Sequence, residues 1–243
     1  MVASILILST VDGVTVAHTQ SPALLDFLGH GVLEKPNPGP KDVLIVTSTN
    51  LTSIPKRTDD LNSITKDTHV CLVQDAGLTP SNVNLVRDDL KDRGWRRLLS
   101  GPISTPHQRQ AQQGQRPYRE RGNHASGGVA ILSRGVVVTP WALPPEPLRN
   151  EAFDILIQSK RWMPAIISVG GMNIFVHNLY LPTRAKQDRD TLAYSNDLIR
   201  AVFLVASGHG DAPVLIGGDF NLDPSHSDVL KRVEASQLWT DAW

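Results

Sequence analysis

At 243 residues the chain is long enough for one sizeable domain, or for one domain with an extension. Its 40% hydrophobic and 20% charged content excludes a disordered chain. The 24 basic and 24 acidic residues exclude a generic polyanion binder, so any nucleic-acid affinity must come from a local patch.

In chain order, Ile5–Leu8 and Val14–Ala17 read as strands on either side of a turn at Val11-Asp12-Gly13. A signal peptide is a poor reading of this stretch, because it has no basic start and Asp12 and Gly13 interrupt the apolar run. No window holds the roughly 18 uncharged apolar residues that a membrane span needs, so no membrane partner is expected. An intracellular location, the nucleus included, is the default. At 33–40 the sequence LEKPNPGP can extend neither a helix nor a central strand. Residues 1–40 are therefore read as an N-terminal extension and 41–243 as the domain.

From Lys41 strands and helices alternate. Val43–Thr47 is a β-rich run leading into Asn50, Asp59–Thr65 a helix candidate, and His69–Val73 a buried strand ending at Gln74-Asp75. Within that strand Cys71, the only cysteine, reads as a buried structural thiol. Thr79-Pro80-Ser81 starts a helix that runs to about Arg93 and stops at Gly94. Trp95–Leu99 reads as a strand, followed by a polar stretch, Thr105–Ser126. Phe153–Gln158, Pro164–Val169 and Met172–Tyr180 read as strands, as does GGVAILS at 127–133. Lys186–Gly208 keeps a helical apolar stripe, Pro213–Gly217 is a buried strand, and Ser227–Ala235 a short helix. Strands outnumber helices and come in adjacent pairs. The pattern predicts an α/β, four-layer sandwich of two mixed, mainly antiparallel sheets with helices outside, not a doubly wound parallel sheet.

The chemistry gathers at strand ends. VLIGGDFN (214–221) runs an apolar strand into two glycines, then presents Asp219 and Asn221 two residues apart, on one side of an extended chain. Gly-Gly-Asp also makes an ordinary strand-end turn. Three further strands end alike: VLIVTSTN (43–50) in an amide, CLVQD (71–75) in Gln74 and Asp75, and FVHNLYLP (175–182) with His177, Asn178 and Tyr180. Singly, Asn50 reads equally as a turn residue, Asp75 as a cap and Tyr180 as a core ring.

The order strand–Asn, strand–Gln–acid, GGVAIL, N-x-Y-x-P, GGDFN resembles the endonuclease/exonuclease/phosphatase superfamily, which includes deoxyribonuclease I, abasic-site endonucleases and endonuclease domains of non-LTR retrotransposons. The likeness covers roughly Asp42 to Trp243. GGVAILS, HNLYLPT and GGDFNLDP are phrased as in the retrotransposon branch.

The resemblance implies a Mg²⁺-dependent phosphodiesterase, with Mn²⁺ as the alternative metal, hydrolysing nucleic acid and in this branch nicking DNA. Asn50 and Asp75 would hold the cation through oxygen. Asp219 would orient or deprotonate the attacking water, Asn221 would steady the same site, and Tyr180 would bond the phosphate. Asn178 would contact substrate, as would Arg116, Arg119 and Arg121 of the polar stretch, which carries a local excess of basic residues and reads equally as a solvated loop.

Two departures from the family stand out. Asp75 occupies a position where the family has Glu. The family's closing segment, with a further aspartate and an Asp–His pair, would follow Thr240-Asp241-Ala242-Trp243, and His107, His124, His177, His209 and His226 are not in a matching context. The expectation is a domain lacking its last strands, monomeric or weakly self-associating through an uncovered C-terminal edge. Two other readings stay open: a truncated, inactive remnant, and a phosphatase or phosphodiesterase of the same superfamily acting on lipid or RNA.

Overall fold

The computed structural model describes residues 6–9, 15–18, 44–100, 128–183, 185, 187–222, 224–236 and 239–241. Among these, eleven strands form two sheets. The first has the order β11 (Thr240–Asp241), β1 (Leu6–Ser9), β10 (Val214–Asp219), β9 (Met172–Tyr180), β8 (Trp162–Val169), β7 (Val137–Pro140). The second has the order β2 (Thr15–His18), β3 (Ile45–Asn50), β4 (Val70–Gln74), β6 (Val129–Ser133), β5 (Arg97–Ser100). Four pairings are parallel and five antiparallel, so both sheets are mixed, with antiparallel pairs narrowly ahead.

Strand alternation sorts the side chains into three apolar seams. Val70 and Leu72 of β4 meet Val176 of β9 and Leu215 of β10 between the sheets. The intervening Cys71 and Val73 face the other way, against Leu61 of α1 (Thr58–Ile64) and Val86 and Leu90 of α2 (Val83–Asp92). On the far side, Leu179 and Ile216 pack under α3 (Glu151–Ser159), α4 (Arg189–Ser207) and α5 (Asp228–Ala235). The layers are therefore helix, sheet, sheet, helix. Truncating a fully buried seam residue such as Leu72 to Ala should cost about 2–5 kcal/mol.

Three local expectations are corrected. Phe153–Gln158 is helical, not a strand. Asn150 caps that helix, its side chain accepting the Phe153 N–H, and Ala152, Phe153 and Leu156 are buried at helical spacing. A short apolar run without flanking glycine or proline carries either period, and the cap decides it. The N-terminal strands do not pair as a hairpin: β1 lies parallel between β10 and β11 in one sheet, while β2 lies antiparallel to β3 in the other. The stretch read as an extension thus places a strand in each sheet. Thr79 is not the first residue of a helix. It forms a reciprocal turn with Asn82, Thr79 N–H to Asn82 Oδ1 at 2.7 Å and Asn82 N–H to Thr79 Oγ1 at 3.2 Å, and α2 begins at Val83.

Among the described residues no helix is long and apolar enough to cross a membrane.

Candidate active site

The positions that face the inter-sheet seam change character along each strand. In β3 they read Val46, Ser48, Asn50; in β4 Val70, Leu72, Gln74; in β9 Val176, Asn178, Tyr180; in β10 Leu215, Gly217, Asp219. The pairings β3–β4 and β10–β9 are parallel, so these polar ends lie side by side within each sheet. A seam that is dry along most of its length therefore opens into a polar rim.

Just inside the rim the polar groups are closed upon one another. Gln74 donates to Asn178 Oδ1 at 2.7 Å and to Ser48 Oγ at 3.1 Å. Asn178 donates both amide hydrogens across to the second sheet, to Val73 O at 3.1 Å and Ala130 O at 2.9 Å. All three side chains are fully buried. Asn178, expected to touch substrate, is fully buried and acts as a strut between the sheets, because both of its amide hydrogens are spent on backbone carbonyls of the second sheet.

At the rim itself Asn50 Nδ2 donates to Asp219 Oδ2 at 2.6 Å, bridging the two sheets over 169 residues of sequence. Asp219 Oδ1 accepts the Asn221 backbone N–H at 3.1 Å, and Asn50 Oδ1 accepts Thr52 N–H at 3.1 Å. Asp219 is only 8% exposed. The Asn221 side chain turns back to Leu181 O at 2.9 Å, so it fixes the loop that carries Asp219. Burial raises the Tyr180 phenol above its ordinary value, and the Asp75 carboxylate raises it further. Arg161 opposes them, Asp219 adds to them, and a hydrogen bond with Asn50 pulls the other way. Asp75, Arg161, Asp219 and Asn50 thus all act on the one phenol of Tyr180.

The backbone here is unusual. Thr52 (φ 61°), Asp75 (φ 51°) and Asn221 (φ 46°) are left-handed, just beyond the ends of β3, β4 and β10. Lys160 is the one other such non-glycine among the described residues. A branched Thr in this region is an outlier, and such conformations persist only where the surroundings over-determine them. Each turns the chain off its strand, so that Asp75 leaves the alternation of β4. Gly218 (φ 156°) has a different constraint: a Cβ there would lie 1.8 Å from Leu179 O. Only glycine lets β10 run this close to β9.

Arg116, Arg119 and Arg121 lie outside the described residues. Arg161, which the motifs do not include, is at the rim: its guanidinium carbon is 5.0 Å from the Tyr180 ring centre and Nη1 donates to Tyr180 O at 3.3 Å. Its only trace in the sequence is a lone arginine beside an apolar run.

No family model and no curated protein matches the chain. Solved structures similar to it include humanised D. rerio TDP2 (15% identity, TM-score 0.49, covering 75% of this chain and 64% of that one). Two others are the 3′ phosphatase NExo from Neisseria bound to product DNA hairpin (20%, 0.49, 79% and 69%) and the endonuclease domain of TRAS1, a telomere-specific non-LTR retrotransposon (12%, 0.45, 79% and 69%). All three are members of the endonuclease/exonuclease/phosphatase superfamily. The chain spans less than two thirds of the length of the TDP2 structure.

Proposed function

We propose that this chain is a metal-dependent phosphodiesterase of the endonuclease/exonuclease/phosphatase superfamily, and that it nicks DNA as retrotransposon endonuclease domains do. The observation that carries the reading is the meeting of Asn50, Tyr180 and Asp219, from β3, β9 and β10, at one rim between two sheets, with the Asp75 carboxylate beside them. The motif phrasing of GGVAILS, HNLYLPT and GGDFNLDP supports the retrotransposon branch.

The donor set suits a hard cation. Among the described residues no group of three His, Cys, Asp or Glu side chains could hold a metal. The rim offers two carboxylates and an amide oxygen, which suits an ion that takes few protein ligands and fills its shell with water and substrate phosphate. Mg²⁺ fits this best, with Mn²⁺ as the alternative. Asn50 and Asp75 would hold it, and when bound it supplies Lewis-acid polarisation of the phosphoryl oxygen.

Asp219 takes the proton of the attacking water. N–H donors at 2.6 and 3.1 Å fix its two oxygens, so its remaining lone pairs have a set direction. Tyr180 is a phenol, protonated at neutral pH, and it can donate to a non-bridging phosphate oxygen. Asn221 positions Asp219 through its backbone and holds the loop through its side chain.

The test is nicking of supercoiled plasmid by the purified chain. Cleavage should require Mg²⁺ or Mn²⁺, stop with EDTA, and fall by on the order of 10²–10³-fold or more in Asp219→Ala. Cleavage that survives both treatments would place the chemistry elsewhere. A folded chain that cleaves nothing with any metal would sink the enzyme reading and leave a binding domain. Hydrolysis of a lipid or RNA phosphodiester in place of DNA would keep the reaction and change the substrate.

A further inference from the structure

Arg161 sits where α3 hands over to β8. It follows Lys160, whose left-handed backbone (φ 56°) ends the helix. Its N–H donates to Ser159 Oγ at 3.1 Å, and its carbonyl accepts the Tyr180 N–H at 2.9 Å. The side chain then returns to the same residue, Nη1 to Tyr180 O and guanidinium carbon over the Tyr180 ring. Backbone, hydrogen bond and guanidinium face all bear on Tyr180. Among the described residues Arg161 enters none of the ion pairs, so its charge is not absorbed by a contacting carboxylate.

That charge matters because of where it sits. The guanidinium carbon lies 5.0 Å from the centre of the Tyr180 ring, at the rim where Asn50 holds the Asp219 carboxylate. A phosphodiester arriving at this rim would add a further negative charge. A fixed cation beside the phenol lowers the cost of that approach, and a half-buried one is screened less than one in open solvent.

We infer that Arg161 is a positioning residue of the rim, holding Tyr180 in place through the guanidinium over its ring and the bonds to its backbone. This rests on the reading of the rim as a phosphodiester site. Lysine would keep the charge but offers neither the planar fork nor the same ring contact.

The first measurement is a denaturant-unfolding double-mutant cycle, which needs no catalysis. Arg161→Gln and Tyr180→Ala should together shift the midpoint by less than the sum of the two single shifts, because the second change removes a contact that the first has already lost. Additive shifts overturn the inference. Should either variant not fold, Arg161→Lys and Tyr180→Leu replace them in the cycle, with the same two outcomes. The second measurement is plasmid nicking. Arg161→Gln should lower kcat about tenfold, with KM less affected, and should have little further effect in a Tyr180→Phe background. Additive losses in the double variant would mean that Arg161 does not act through Tyr180. If no variant cleaves, wild type included, the functional reading fails, while the unfolding cycle still decides whether Arg161 holds Tyr180.

Discussion

β9 carries two polar regions on opposite faces, built from alternate residues of one nine-residue strand. Toward the second sheet stand Asn178 and Tyr180; toward the helices stands His177, in an aromatic cluster with Trp141, Phe153, Trp162, Phe175 and His209. Within the cluster a hydrogen-bonded relay runs from Trp162 through His177 to His209. Trp162 Nε1–H donates to His177 Nδ1 at 3.2 Å, and tryptophan can only donate, so the His177 proton is on Nε2. Nε2 lies 3.2 Å from His209 Nε2, which must accept, leaving the His209 proton on Nδ1. Both histidines are neutral, and burial lowers each, His177 to about 3 with the His209 charge as a second cause. At the rim, by contrast, the bonds gather on Asn50 and Asp219 oxygens that keep further lone pairs, and the backbone around them is left-handed at three points. The lesson is that buried polarity marks a site only where its hydrogen-bonding capacity is unspent.

Four changes would break or sharpen this comparison. The largest effect is expected from Gly218→Ala, which drives a Cβ into the β9 backbone beneath both regions. It should cost on the order of 4 kcal/mol or more, read as a collapse of the denaturant midpoint together with loss of any nicking. Next, Asn178→Leu should remove the strut, its bonds to Val73 O and Ala130 O and the acceptor of Gln74. About 3 kcal/mol is the expected loss, and a near-neutral result would show that Asn178 is not closed upon the second sheet.

The third change is pH, which acts on the cluster. Both folded-state pKa values lie below the unfolded 6.5. Above pH 6.5 neither state is charged and the stability is fully present. As pH falls from 6.5 toward 3 the unfolded chain takes up protons that the folded chain refuses, and stability declines. The slope approaches about 1.4 kcal/mol per pH unit for each histidine still neutral in the fold. His177→Gln with His209→Gln should flatten the melting temperature between pH 6.5 and 4. The smallest effect is expected from Asp75→Glu at the rim. The longer carboxylate should lower the divalent-cation concentration for half-maximal nicking a few-fold, while its left-handed backbone (φ 51°) costs only tenths of a kcal/mol. A metal response unchanged by this substitution would argue that Asp75 does not hold the ion.

Strand ends were the legible part of this chain. VLIVTSTN, CLVQD, FVHNLYLP and VLIGGDFN each show where an apolar run stops and polar groups begin, but alternation does not carry on to Asn221, because β10 ends at Asp219 and the Asn221 side chain turns back to Leu181 O. Helix–strand choice was legible only where the run was long: Arg189–Ser207 declares its period over nineteen residues, whereas the FDILIQ stretch fits either until Asn150 caps it.

What sequence alone determined, then, was composition, layer type and the strand ends at which chemistry could sit. Tertiary structure decided the rest, because these properties depend on distance rather than on neighbours in the chain. Asn178 and Tyr180 share a face and differ by two residues, yet one is sealed under the second sheet and the other reaches the rim. β1 and β2 follow one another but join different sheets, since the partners that satisfy their backbones lie more than two hundred and about thirty residues away respectively. Arg161 belongs to no motif. It stands beside Tyr180 because an antiparallel pair brings the start of β8 back to the end of β9.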